Sequence, residues 1–402
     1  MERSNTPYGN HQFGIYSAGL KGELPSLPLR YEDLEARARD VLDPAAYWYV
    51  AGGAGEASMA ANRNSFDRYP LFPRMLTDVS ERDLSTTVLG KKHATPLMLA
   101  PLGVQEILHP EAELAVARAA AEVGVPMILS TVSSYPMEQV KHELGDTTGW
   151  YQLYWPNDDE LATSLVQRAE KAGYEAIVIT LDTKMLAWRE RDLEGAYLPF
   201  LQGKGLANYT SDPVFRAGLD KAPEEDVIAT VKHWSQVYAS PERSWPDLAK
   251  LRAATNLPLI LKGVLHPEDA LAARRAGMDG VIVSNHGGRQ VDGAIASLDA
   301  LPAIAAAVPE MPLILDSGVR TGADIFKALA LGATAVGIGR PYAWALALGG
   351  RAGVAEWIDN TAAEFELTMA LAGCRDIADI SNGTARVTRR GPTTTSTAGP
   401  HA

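Results

Sequence analysis

PLILDSGVRTGADIFKALALGATAVGIGR, residues 312–340, holds the reading of the fold in one unit. A short apolar run, Pro312 to Asp316, ends on a charge, and a polar turn follows, Asp316-Ser317-Gly318-Val319-Arg320. An alanine-rich helical stretch, Ala323 to Leu331, leads to a second apolar run, Thr334 to Ile338, that stops at Gly339-Arg340. Apolar runs this short, bounded by turn residues, fit strands buried on both faces, and a helix between two of them makes the sheet parallel. The same unit recurs upstream, with strands at Leu97 to Ala100, Met127 to Ser130, Trp150 to Leu153, Ala176 to Thr180, Pro258 to Lys262 and Gly280 to Ser284. Helical stretches include Glu111 to Glu122, Glu160 to Lys171 and Pro267 to Ala276. Eight such units predict an α/β fold, a (β/α)8 TIM barrel; an open doubly wound sheet is the alternative that a strand count leaves standing.

Strand starts lie 22 to 32 residues apart except between the fourth and fifth, where 82 residues separate Ala176 from Pro258. A surplus of roughly 50 residues at the strand-exit face is where lids and site walls are found. Leu198-Pro199-Phe200-Leu201, Trp234 and Trp245 predict that this insertion is partly ordered; a subunit contact is its plainer explanation. Ahead of the barrel, Tyr31 to Val50 reads as one helix stopped by Ala51-Gly52-Gly53-Ala54-Gly55. Behind it, Gly353 to Gly373 reads as a helix packed on the barrel. The expected organisation is an N-terminal helical extension over 1–95 covering the barrel, a barrel over 96–385 with an insertion at about 185–246, and a disordered tail over 386–402.

The formal net charge of -12 disfavours nucleic acid and anionic membranes as partners. Met1 to Asn10 carries no apolar run behind a basic cluster, and no stretch reaches bilayer-spanning length, so a soluble cytoplasmic protein is expected. The single cysteine, Cys374, excludes an internal disulfide and a cysteine-rich metal site, and no metal is expected.

In a barrel the chemistry gathers where strands end. Gln152 and Tyr154, Thr180 and Asp182, Lys262, His286 and Arg289, Asp316 and Arg320, and Arg340 stand at six successive strand ends, which favours a shared site over isolated caps. The glycines and arginines of 316–320 and 337–340 occupy the usual phosphate position of this fold; tight turns and surface ion pairs are the plainer reading. Ser284-Asn285-His286-Gly287-Gly288-Arg289-Gln290 places a histidine, the side chain best suited to take a proton at neutral pH, three residues before an arginine that can fork onto a carboxylate. Alone, such a histidine is more often a hydrogen-bonded core residue. Arg189, at the opening of the insertion, supplies a second cation, with a salt bridge to Glu190 or Asp192 as its alternative. Lys262 ends an apolar strand on a charge, which calls for a partner or for a stem that snorkels to solvent.

Together these motifs resemble the FMN-dependent 2-hydroxy-acid oxidases and dehydrogenases, over about Tyr31 to Arg390. Ser284 to Gln290 is that family's signature, supported by Tyr49 with Gly52-Gly53-Ala54, Gln152-Leu153-Tyr154, Thr180 to Thr183, Lys262-Gly263, Asp316 to Arg320 and Gly339-Arg340. The resemblance implies that His286 is the base and Asp182 its orienting carboxylate. It implies that Arg189 and Arg289 clamp the substrate carboxylate, that Tyr49 and Tyr154 hydrogen-bond the substrate, and that Lys262 stabilises anionic reduced flavin. FMN would be held by Pro101, Leu102, Gly103, Lys262 and Asp316 together with Ser130, Gln152, Thr180 and Ser284, the last four on the ring, and with Gly318, Arg320, Gly339 and Arg340 on the phosphate.

Within the family, Tyr16 to Pro28 and Asn208 to Phe215 are most similar to the lactate 2-monooxygenase branch, as is Gly103 where oxidases usually have alanine. The implied substrates are a small 2-hydroxy acid and O2, the implied assembly a homotetramer or homo-octamer. An oxidase or dehydrogenase for a bulkier acid, such as an aryl glycolate, stays open, as does a non-redox barrel enzyme binding a phosphorylated substrate. Val132 stands where many members carry tryptophan, Lys184 at a common proline position and Ser317 at a usual glycine; these touch substrate choice more than activity.

Overall fold

A computed structural model of the chain describes residues 7–383 and 386–387. Eight strands run parallel and close on themselves: β1 (Leu97–Leu99), β2 (Met127–Ser130), β3 (Gly149–Tyr154), β4 (Ile177–Thr180), β5 (Leu259–Val264), β6 (Gly280–Val283), β7 (Leu313–Leu315) and β8 (Ala335–Ile338), with β8 pairing back onto β1. Closure decides for the barrel over the open sheet. Every residue of β2, β4 and β6 is buried, because one face fills the barrel and the other packs under helices. Met98, Ile128, Trp150, Val178, Ile260, Ile282, Ile314 and Ala335 form the inner cluster. Their neighbours along each strand, such as Leu97, Leu129 and Val283, join the large outer core beneath the helices. Burying one such side chain stabilises the fold by about 1.5–3 kcal/mol.

The inner cluster also contains Val88, from a two-stranded hairpin, Thr86–Val88 with Lys91–His93. That hairpin packs on the barrel interior, and it was not foreseen in an extension expected to be helical. Among its described residues the extension also carries four α-helices, α1 (His11–Gly19), α2 (Tyr31–Val41), α3 (Pro44–Ala51) and α4 (Ala57–Asp67). The single helix expected over Tyr31 to Val50 is therefore two. Pro44 excludes helical geometry at Asp43, and the Asp43 carboxylate instead caps α3, accepting from the amides of Ala45 and Ala46 at 2.9 and 3.3 Å. After β1 comes α5 (Ala112–Val123).

The helix expected from Gly353 begins earlier, at Arg340 directly after β8, and runs to Leu371 with a break at Gly350, whose φ is 54°. Arg386 and Val387, placed by sequence at the start of the tail, pair antiparallel with Phe72 and Leu71. The rest of the expected disordered tail, 388–402, lies outside the described residues. Among the described residues no helix is long and apolar enough to cross a membrane, and no group of three His, Cys, Asp or Glu could hold a metal.

Candidate active site

Strand register is what aligns the polar side chains at the barrel mouth. Ser130 pairs with Gln152, Tyr154 with Thr180, and Thr180 with Lys262, so polar residues of adjacent strands meet near the same end of the barrel. Gln152 accepts from the Ser130 hydroxyl at 3.0 Å and donates to Thr180 Oγ1 at 2.9 Å. Lys262, buried, donates to Ser284 Oγ at 3.0 Å and lies 3.3 Å from Asp316. The charge, expected at the end of β5 but placed within it, therefore has partners inside the mouth and does not snorkel.

His286 sits just beyond β6 at φ 58°, a strained position for a non-glycine residue. Several bonds hold it there. Its amide donates to Ser284 Oγ at 3.0 Å, and Asn285 makes a reciprocal amide pair with Asn62 of α4 at 2.7 and 2.8 Å. His286 Nδ1 lies 2.8 Å from Asp182 Oδ1, leaving Nε2 facing the cavity, 3.4 Å from the Tyr154 hydroxyl. Burial lowers the imidazole pKa below its ordinary 6.5, helped by the Lys262 and Arg189 charges and opposed by Asp182. Burial pushes the Asp182 carboxyl up, but His286, Lys262 and Thr183 outweigh it and hold the group below its ordinary value. The dyad is thus an ionised carboxylate holding a neutral imidazole. Room for Asp182 comes from Gly263: a Cβ there would lie 2.8 Å from the Asp182 carboxyl carbon.

Four arginines converge on the same mouth. Arg189 donates to the Arg289 carbonyl at 3.1 Å and to Gln290 Oε1 at 3.0 Å, while Gln290 Nε2 donates to the Asp182 carbonyl at 2.5 Å. Of the two carboxylates weighed for Arg189, Asp192 is the one nearby, at 3.8 Å. Burial and neighbouring cations lower Arg289 to about 9 and Arg340 to about 10, so both stay charged at neutral pH. Arg289 lies over the Tyr49 ring at 5.4 Å. Arg340 donates to the carbonyls of Val50, Gly287 and Gly52, so as placed it offers the cavity charge more than free N–H groups. Arg320 stacks on Tyr31 at 3.9 Å, and its guanidinium donates to the Val319 carbonyl at 3.3 Å.

These residues line a single cavity at the barrel mouth that opens partly to solvent. Of the residues singled out in the sequence, Tyr49, Pro101, Leu102, Gly103, Gln152, Tyr154, Thr180, Arg189, Lys262, His286, Arg289, Asp316, Gly318, Arg320, Gly339 and Arg340 line it. Asp182, Ser130 and Ser284 stand one layer behind, bonded to residues that do. Sequence reasoning gave no site role to Gln290, Leu108, Leu186, Phe200 or Tyr238. Gln290 was in plain view inside the signature segment; Phe200 and Tyr238 reach the cavity from the insertion, through tilted and edge-on ring contacts running from Phe200 by way of Trp234 and Tyr238 to Tyr154. Ser317 has φ 77°, the reason glycine suits that position, and its hydroxyl compensates by accepting from the Gly287 amide at 2.9 Å.

A family model of FMN-dependent dehydrogenases matches residues 38–387. This chain belongs to that family. It is 46% identical over 352 residues to an L-lactate oxidase of Lysinibacillus sphaericus, covering 87% of this chain and 90% of the relative. Against the glycolate oxidase of Spinacia oleracea the identity is 42%, covering 87% and 93%. A crystal structure of mandelate oxidase superposes with a TM-score of 0.80 at 38% identity, covering 90% of this chain and 99% of that one. The protein is an FMN-dependent 2-hydroxy-acid oxidoreductase, as its motifs implied.

The residues present fit that cofactor. A Cβ would meet Ala100 and Asp316 at 3.5 Å if placed on Gly337, and Leu102 at 3.7 Å if placed on Gly339, so side chains there would take up room on the cavity that the two glycines leave to a ligand. Crowded arginines with few carboxylates suit an anion there. Lys262, Gln152 and Thr180 offer polar groups to a flat ring further in.

Proposed function

We propose that this enzyme oxidises a small L-2-hydroxy acid with O2, and that with lactate it yields acetate, carbon dioxide and water. The observation that carries the reading is the neutral His286 imidazole, backed by ionised Asp182 and facing the Arg189 and Arg289 guanidinium groups in one cavity. The two arginines hold the substrate carboxylate, and Tyr49 and Tyr154 hydrogen-bond its carboxylate and hydroxyl. His286 Nε2 accepts a proton from the substrate's CH–OH group, and Asp182 stabilises the imidazolium that results. Gln290 ties the clamp to the dyad, since it bonds Arg189 on one side and the Asp182 backbone on the other. Bound in this cavity, FMN would supply the two-electron redox chemistry, with O2 as the final acceptor. Lys262 would place positive charge beside the ring, and Arg320, Arg340, Gly318 and Gly339 would hold the phosphate.

Retention of the keto acid divides the two outcomes. Held beside nascent peroxide, it is attacked at the keto carbon and loses carbon dioxide; released first, it leaves a simple oxidase that makes keto acid and hydrogen peroxide. Two features support retention. Leu186, Phe200 and Tyr238 wall the cavity from the insertion side. Gly103 lies tight against Val132, where a Cβ would meet Val132 Cγ2 at 2.4 Å and its carbonyl oxygen at 2.8 Å, so alanine would displace this wall. The names of the relatives, lactate, glycolate and 4-hydroxymandelate oxidases, favour the second outcome. Aerobic turnover of lactate with product analysis tests the choice: acetate with carbon dioxide is expected, and accumulating pyruvate with free peroxide would leave the oxidase reading. A homotetramer or homo-octamer in the cytoplasm belongs to the same proposal on family resemblance, with light scattering as the check on assembly.

A further inference from the structure

One fully buried acid has no part in the chemistry above. Glu113, in the first turn of α5, is sealed from solvent, and its carboxylate lies beneath the loops that follow β1 and β2. Oε1 accepts from the Gln105 amide at 3.1 Å and the Ser134 hydroxyl at 3.3 Å; Oε2 accepts from the Ser134 amide at 3.1 Å. The Ser134 hydroxyl in turn accepts from the Glu106 amide at 3.1 Å. One carboxylate therefore joins two loops. The first carries Pro101, Leu102, Gly103 and Leu108 on the cavity, the second Val132.

Those loops also meet at the cavity itself. The Val104 amide donates to the Val132 carbonyl at 2.8 Å, beside the close approach of Gly103. The insertion is drawn into the same bracket, for the Gly205 amide donates to Glu106 Oε1 at 2.9 Å and the Ala207 amide to the Ser133 carbonyl at 3.1 Å. Packing alone does not call for an acid here. Burial pushes the Glu113 carboxyl up to about 7 even against these donors, so the fold tolerates an unfavourable buried group where a neutral side chain would cost less. What an acid supplies is two oxygens for backbone amides that have no strand or helix partner.

We propose that Glu113 is a positioning residue for the cavity: it clamps the loops after β1 and β2 together and so fixes the wall of Leu102, Gly103 and Val132 against ring and substrate. The inference rests on the functional reading given above. A glutamine in its place would keep the shape but offer one acceptor oxygen and turn an N–H toward the donors.

The test compares Glu113→Gln with Glu122→Gln, a surface glutamate of the same helix that pairs with Arg351. Amide hydrogen exchange and visible circular dichroism of the flavin are followed in the holoenzyme, with kcat/KM for a panel of 2-hydroxy acids. In Glu113→Gln, residues 101–108 and 131–135 should exchange about tenfold faster or more. The flavin dichroism should change, and kcat/KM should fall roughly tenfold to a hundredfold. Glu122→Gln should match the parent. Identical exchange and dichroism in the two variants would overturn the proposal. If Glu113→Gln does not fold, Ser134→Ala, which withdraws one donor and keeps the acid, should shift the same readouts less but in the same direction, and no shift would equally overturn it. A parent protein whose FMN no 2-hydroxy acid reduces would defeat the functional reading, whereas the exchange comparison would still decide whether Glu113 clamps the loops.

Discussion

His286 can take a proton only while neutral, and the side chains that keep it so surround it at close range. Burial sets the direction, below 6.5, with Lys262 and Arg189 adding to it and Asp182 opposing. The sign follows: lowering the pH through 6.5 should leave kcat/KM level, with the acid limb falling only below that value. A pH–rate profile checks this, and an acid limb centred above 6.5 would contradict it. His286→Asn should retain FMN while flavin reduction, followed anaerobically by stopped flow, slows roughly 100- to 10,000-fold; near-normal reduction would put the base elsewhere. Gly263→Ala tests the room made for Asp182. With φ at 100° and the new Cβ against that carboxylate, it should lower stability by about 1–3 kcal/mol and slow flavin reduction more than it weakens FMN binding. Histidine, arginine and lysine were legible in the sequence because charge at the end of an apolar strand is conspicuous. Gln290 was not, since an amide looks the same whether it bridges two site residues or faces solvent.

At the scale of elements, the insertion between β4 and β5 is tied down mainly by side chains. Asn208, fully buried, accepts from the Met137 amide at 2.8 Å and donates to the carbonyls of Thr131 and Ser130 at 3.0 and 3.3 Å. Asn208→Ala leaves those backbone groups unpaired and should destabilise the fold by about 1–3 kcal/mol, read by urea unfolding. Limited proteolysis should then cut first within 185–246; unchanged stability and cleavage would mean that other contacts hold the segment. The strands were legible to within a residue or two, for example Gly280–Val283 against an expected Gly280 to Ser284. Apolar runs between turn residues have few other places to go. The hairpin at Thr86–Val88 and Lys91–His93 escaped notice because only Val88 and His93 of its six residues are buried, so it lacks an alternating pattern. The break before α3 was present as Asp43-Pro44 but was overridden by the helical periodicity on either side.

Over the whole molecule, two buried groups pull stability in opposite directions as pH changes. The folded pKa of Glu113, about 7, exceeds the ordinary 4.5, so its contribution is greatest in acid and is lost as pH rises from 4.5 to 7, by roughly 3 kcal/mol. His286 has a lowered folded pKa, so stability is lost as pH falls below 6.5. Equilibrium unfolding of parent and Glu113→Gln across pH 4.5 to 7.5 isolates the first effect: the parent's margin over the variant should shrink by about that amount as pH rises, and a constant margin would show that Glu113 titrates normally.

By itself the sequence determined the eight strand and helix units, the place of the long insertion and the kinds of residue at the strand ends. These follow from local rules, the period of apolar residues and the punctuation of glycine and proline. Only the tertiary structure decided between closed and open sheet, and only it showed that Gln290 links Arg189 to the Asp182 backbone, that Arg340 spends its donors on backbone carbonyls, and that Glu113 lies beneath two cavity loops. The physical reason is that each depends on register and on hydrogen bonds between residues far apart along the chain, whose partners are chosen when the barrel closes.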